Sequence, residues 1–162
     1  GVFTLCPGEW LALDRDSAPE LQAGRHGATL GVMFPADAVG RAKPIEIREL
    51  KKIHETLENA ARDDRINAFF EANQAFHKRI QELANNRWLL SVIQDLRKVL
   101  KLSRLHSLSL EGRLQQSLDE HRGIMAAFEA GDAAKAEQLM HDHLLSGREA
   151  LVKMDIKNGK TD

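Results

Sequence analysis

The chain is poor in cysteine and proline, and it has no long apolar run. Its single cysteine, Cys6, cannot close an internal disulfide, which fits a reducing compartment. No stretch approaches the roughly 18 apolar residues that a membrane span requires. The first residues, Gly-Val-Phe-Thr-Leu-Cys, lack the charged flank of a signal peptide. A net charge of −1 leaves no basic surplus to drive nucleic-acid binding by counterion release, so the chain is not expected to hold DNA alone. A cytoplasmic protein without membrane contact is the expectation. What remains is ordinary for a globular domain: 162 residues, 43% hydrophobic and 29% charged, are enough for one real core.

Glycine and proline are unevenly spread. Residues 1–43 hold six of the 11 glycines and three of the four prolines, and no helical or strand period persists there. This segment is expected to be irregular, with Val2–Leu5 and Leu30–Phe34 as candidates for a strand or a docked arm. From Pro44 the pattern turns helical. Pro44 suits a first helical turn, where its missing N–H costs nothing. Ile47, Leu50, Ile53 and Leu57 mark one helix, which Arg62–Arg65 interrupts. Ile66, Phe69, Phe70, Phe76, Ile80 and Leu83 mark a second, closed by Asn85-Asn86, since Asn tolerates the left-handed conformation. Trp88 to Leu100 mark a third, with Ser107–Gly112 as a connection. Leu114, Leu118, Ile124, Met125 and Phe128 mark a fourth, and Asp132 is a good N-cap for a fifth through Leu151. Five amphipathic helices with short connections predict an all-α antiparallel bundle over residues 44–156, with a frayed tail at 157–162.

Three histidines fall on the apolar faces of these helices. Asn73 and His77 are four apart and share a face with Phe69, Phe76 and Ile80. His121 and His143 lie ten and twelve residues from Gly131, on opposite arms of a helical hairpin. That mismatch of two residues is about 3 Å of helical rise, so the two rings can meet. His77 can complete the cluster from a third helix. A lone core histidine is usually just hydrogen-bonded. Three together are economically satisfied by one divalent metal, and three His with one weak oxygen donor leave a position open for a ligand. Asn73 as the fourth donor is neutral, so the site would keep the full +2 charge of the ion. His141 is turned away by its spacing from His143, and His26, His54 and His106 have no partner at ligand spacing.

Four words in the chain occur together in order: Asn73-Gln-Ala-Phe-His77-Lys-Arg-Ile80, Ala84-Asn-Asn-Arg-Trp-Leu-Leu90, Arg113-Leu-Gln-Gln-Ser-Leu-Asp-Glu-His121-Arg-Gly-Ile124, and Ala130-Gly-Asp-Ala-Ala-Lys-Ala136 leading to Met140-His-Asp-His143. Through these, residues 47–151 resemble the C-terminal FCD domain of GntR-family bacterial transcription regulators, the FadR subfamily. The resemblance implies an all-α effector domain that dimerises and binds a small organic acid or sugar acid. It implies Zn or Ni held by Asn73, His77, His121 and His143, with the effector carboxylate completing the shell. Arg104 and Ser117, and after them Arg97, are the candidate ligand-binding residues. Residues 1–43 show no helix-turn-helix pattern, so DNA contact is expected only through a winged-helix domain not evident in this chain. The family's first effector helix should also precede Ile47. The expected function is sensing rather than catalysis, since Glu120, though adjacent to His121, points to a different helix face. The alternatives are a metal-dependent hydrolase or isomerase using the same three histidines, and a metal-free helical interaction module.

Overall fold

Helix α2 (Pro44–Arg62) begins where the sequence changes character, with Pro44 in its first turn and the Lys43 N–H donating to Glu46 Oε2 at 2.9 Å. It belongs to a computed structural model that describes residues 35–158. Among these residues seven helices pack as one bundle: α1 (Pro35–Arg41), α2, α3 (Ile66–Leu83), α4 (Arg87–Val99), α5 (Lys101–Ser107), α6 (Arg113–Ala130) and α7 (Ala133–Asn158). Two antiparallel hairpins, α2–α3 and α6–α7, form its body, and α2 also packs on α6. Helix α1 lies against α7 and α3, and α5 lies against α7.

Turn chemistry sets the hairpins. Asp64 (φ 50°) and Asn85 (φ 55°) take left-handed conformations after α2 and α3, a role for which Asp and Asn are suited. Gly131 (φ 69°) ends α6, and the Lys135 N–H donates to Asp132 Oδ1 at 2.9 Å, so Asp132 caps α7 as its residue type predicts. Phe69, Phe70, Phe76, Phe128, Leu50, Leu57 and Ile124 are fully buried between the hairpins. Each such side chain contributes about 1.5–3 kcal/mol by leaving water.

The helix count differs from the sequence expectation in two places. Residues 35–41 of the segment expected to be irregular form α1, whose Ala38 is completely buried. Seven residues between Gly and Pro punctuation are too few for a period to register, and tertiary packing decides. The third expected helix is broken at Leu100 into α4 and α5. Helix α7 runs to Asn158, into the expected tail. The apolar pieces Val2–Leu5 and Leu30–Phe34, Cys6 and His26 lie outside the described residues.

Candidate metal centre

Helices α3, α6 and α7 each bring one histidine to a common point. His77, His121 and His143 are buried, and one ring nitrogen from each lies within 4.8 Å of the others. The His121 and His143 ring centroids are 4.5 Å apart, as the nearly equal distances from Gly131 require. His77 Nε2 faces His143 Nε2 at 3.1 Å. His121 Nε2 faces Asn73 Oδ1 at 3.0 Å. Phe76 closes the apolar side, with its ring centroid 5.2 Å from that of His121.

The outer nitrogens fix the tautomers. His121 Nδ1 donates to the Ser117 carbonyl oxygen at 2.6 Å, and His143 Nδ1 donates to Glu120 Oε2 at 2.6 Å. Both partners accept only, so in the neutral rings both Nε2 atoms carry lone pairs. His143 Nε2 can take a proton from His77. His121 Nε2 meets an amide oxygen, and two acceptors at 3.0 Å repel. Turning the amide or protonating His121 would relieve this, but a cation shared by the donors relieves it while satisfying all four. Two ligands about 2.0–2.1 Å from one ion lie about 2.9–3.4 Å apart at ordinary coordination angles, the range of the contacts seen here. The residues present therefore fit a divalent metal.

Residues 28–146 match the sequence model of the FCD domain, nearly three-quarters of the chain. The chain belongs to the FCD domain family. This is the effector-binding domain of GntR/FadR-type regulators, a regulatory and typically non-enzymatic module. The match begins ahead of α1. Among solved structures, the FCD chain is similar to E. coli McbR/YncC, with a TM-score of 0.66 and 21% identity over 75% of this chain and 58% of that one. The likeness shows a shared fold, and the chain spans 58% of the length of that protein. None of the curated proteins matches.

Within this FCD domain, burial pushes His77 and His121 well below the ordinary imidazole pKa, and the neighbouring rings and arginines add to the effect. Burial also lowers His143, although the Glu120 carboxylate opposes it. For Glu120 itself, burial acts upward, but hydrogen bonds from His143 and Ser146 and the charge of Arg113 hold it below its usual value. The neutral imidazoles required for metal ligation are thus the favoured forms at neutral pH.

The structure corrects the sequence reading of Glu120. Glu120 leaves α6 about 100° around the helix from His121, toward α7, and there it holds His143. Ser146 Oγ donates to Glu120 Oε1 at 2.6 Å, and Arg113 Nη1 approaches Oε2 at 3.3 Å. Arg113 is itself buried, 7% exposed. Such carboxylate–histidine pairs orient a ligand ring and raise its basicity. A signal for both was available: residues 113, 117, 120, 121 and 124 follow the i, i+4, i+7, i+8, i+11 spacing of one broad helix face.

The three candidate ligand-binding residues are differently placed. Ser117 is buried and meets His121 through its carbonyl. Arg97 on α4 and Arg104 on α5 are half-buried and converge on one oxygen, Gln74 Oε1; Arg97 Nη2 donates to it, as does Arg104 Nη1 at 2.8 Å. Burial, reinforced for Arg97 by the charge of Arg104, lowers the two guanidinium pKa values to about 9 and about 10, so both remain charged at neutral pH. His54 is buried apart from the cluster beside Phe76, with no hydrogen-bond partner for its Nε2. A small cavity of about 90 Å³ adjoins Arg113, Gln116 and Ser146, and the histidines do not line it.

Proposed function

We propose that this FCD domain senses a small carboxylate metabolite at a divalent metal, Zn or Ni, held by Asn73, His77, His121 and His143. The observation that carries the reading is the convergence of three buried imidazoles on one point. The metal would supply a Lewis-acidic position for the effector carboxylate. Ser117 and Glu120 hold the His121 and His143 rings with their Nε2 lone pairs inward. Asn73 offers a neutral oxygen, which leaves the ion its full charge and strengthens attraction for an anion. Arg104 and Arg97 supply positive charge next to His77, and each lowers the pKa of that ring. A metal-dependent hydrolase or isomerase would need a free base. The acid that meets these histidines, Glu120, is instead tied to His143, Ser146 and Arg113, which favours sensing.

Effector binding would act by its different affinity for two arrangements of the bundle in a homodimer. Val92, Leu96, Val99 and Leu102 leave an exposed apolar stripe along α4 and α5, suited to a second copy of the chain. DNA would be contacted through a winged-helix domain of the same regulator. Metal content after mild purification, with melting of the metal-free protein on addition of Zn or Ni, tests the reading. At a hundredfold excess over Kd the ion should stabilise by about 2.7 kcal/mol. A His77→Ala, His143→Ala double variant should lose that gain. A parent protein that neither retains nor responds to metal would leave only a helical interaction module.

A further inference from the structure

We infer that the effector carries two anionic groups, one for the metal and a second for the guanidinium pair of Arg97 and Arg104. This rests on the metal-sensing reading and adds the class of ligand to it. The first ground is charge. Every proposed metal donor is neutral, so a divalent ion there keeps two positive charges. Among the described residues, the carboxylate that touches the cluster is Glu120 on His143, and it is already matched by Arg113. Arg97 and Arg104 add two further charges, and among the described residues neither forms an ion pair with an acid. Their shared partner is a neutral amide oxygen. Elsewhere in the bundle the pattern is different: Arg79 reaches Glu49 at 2.8 Å, and Arg122 reaches Asp119 at 2.7 Å as well as Glu58. Two half-buried cations that share one uncharged acceptor lack the counter-charge that burial demands.

The second ground is position. Gln74 follows Asn73 directly and precedes His77 by three residues, so it lies one turn away on α3, about 5–6 Å between Cβ atoms. The charges of both arginines reach His77, and that of Arg104 reaches His143. A molecule with a carboxylate at the metal can therefore place a second acidic group on the arginine pair if the two groups are a few bonds apart. Guanidinium forks take carboxylate or phosphate equally well in two-point contacts, so a small diacid and a phosphorylated acid share the required chemistry. A monoacid would leave either the ion or the arginine pair without a counter-charge.

Calorimetry on the zinc-loaded protein with malate, succinate and 3-phosphoglycerate, against lactate and glycerate, tests this directly. The ligands with two acidic groups should bind at least about tenfold tighter than those with one at low ionic strength. The malate and phosphoglycerate arms tell whether the second group is a carboxylate or a phosphate. An Arg97→Gln, Arg104→Gln double variant should weaken malate binding at least about tenfold more than lactate binding, so that the preference between them disappears. An Arg97→Lys, Arg104→Lys variant should be intermediate, because it keeps charge and loses the fork. The Gln variant relieves like-charge repulsion, so its metal-free melting temperature should equal or exceed that of the parent, which shows that it folds. Equal binding of malate and lactate, a preference that survives in the Gln variant, or no binding to zinc-loaded protein would each overturn the inference. Failure to take up zinc would instead overturn the metal reading. Melting of the metal-free protein then decides the arginine pair alone: stabilisation by malate over lactate that disappears in the Gln variant supports it, and equal response to both overturns it.

Discussion

Acid should unfold the metal-free protein well above the pH at which carboxylates titrate. His77, His121 and His143 are held neutral in the folded chain, with pKa values below the ordinary imidazole value, whereas in the unfolded chain each titrates near about 6.5. As pH falls through 6.5 the unfolded state takes up protons that the folded state refuses. The contribution of the three rings is therefore fully present above about 6.5 and is lost progressively below it. Each proton of difference gives a slope of about 1.4 kcal/mol per pH unit, so three rings approach about 4 kcal/mol per unit. Against a typical total of about 5–15 kcal/mol, one or two units of acidification remove much of the stability. Glu120 adds nothing in this window, because the stability from its depressed pKa is lost only as pH falls from the ordinary carboxylate value through its own lower one. Urea titrations in EDTA at pH 7.5, 6.5, 6.0 and 5.5 would measure the slope, and a His143→Gln variant should reduce it by about one proton. Stability that is level from pH 7.5 to 5.5 would refute the neutral buried cluster.

Two substitutions probe the metal site itself. Asn73→Asp should tighten Zn or Ni binding and weaken the attraction for an anionic effector, since the carboxylate cancels one charge of the ion; a metal-competition titration that finds no tightening would count against Asn73 as a donor. Glu120→Gln should weaken metal binding by about 10–100-fold, because His143 loses the anionic acceptor that orients it. The same titration on purified variant checks this, with urea unfolding of the metal-free form reporting separately on Arg113, which loses its counter-charge inside the bundle.

The bundle was readable because its signals are local and repeated. The Phe and Leu spacing of α2, α3 and α6 gave their faces, and Pro44, Asn85 and Asp132 marked ends that the structure keeps. The meeting of His121 with His143 followed from counting outward from Gly131. Residues whose roles depend on a neighbouring helix were harder to read. Glu120 looked misdirected because a single helix shows only which way a side chain leaves, not that α7 and His143 lie there. Charge is usually outside, so a single helix gives no sign that Arg113 is buried; only the carboxylate it meets makes that burial tolerable. Gln74 carries no chemical signature of its own; it is the meeting point of two arginines from α4 and α5, which no pattern within α3 announces. Helix α1 was hidden by its brevity.

The tight link between α6 and α7 works as a length gauge. One residue added to either arm between His121 and His143 would swing one ring by about 100° around its axis and shift it by about 1.5 Å, out of reach of its counterpart. Substitutions along those arms can be absorbed by side-chain adjustment, but insertions and deletions cannot. The stretch from His121 to His143 should therefore drift in letter and stay constant in length.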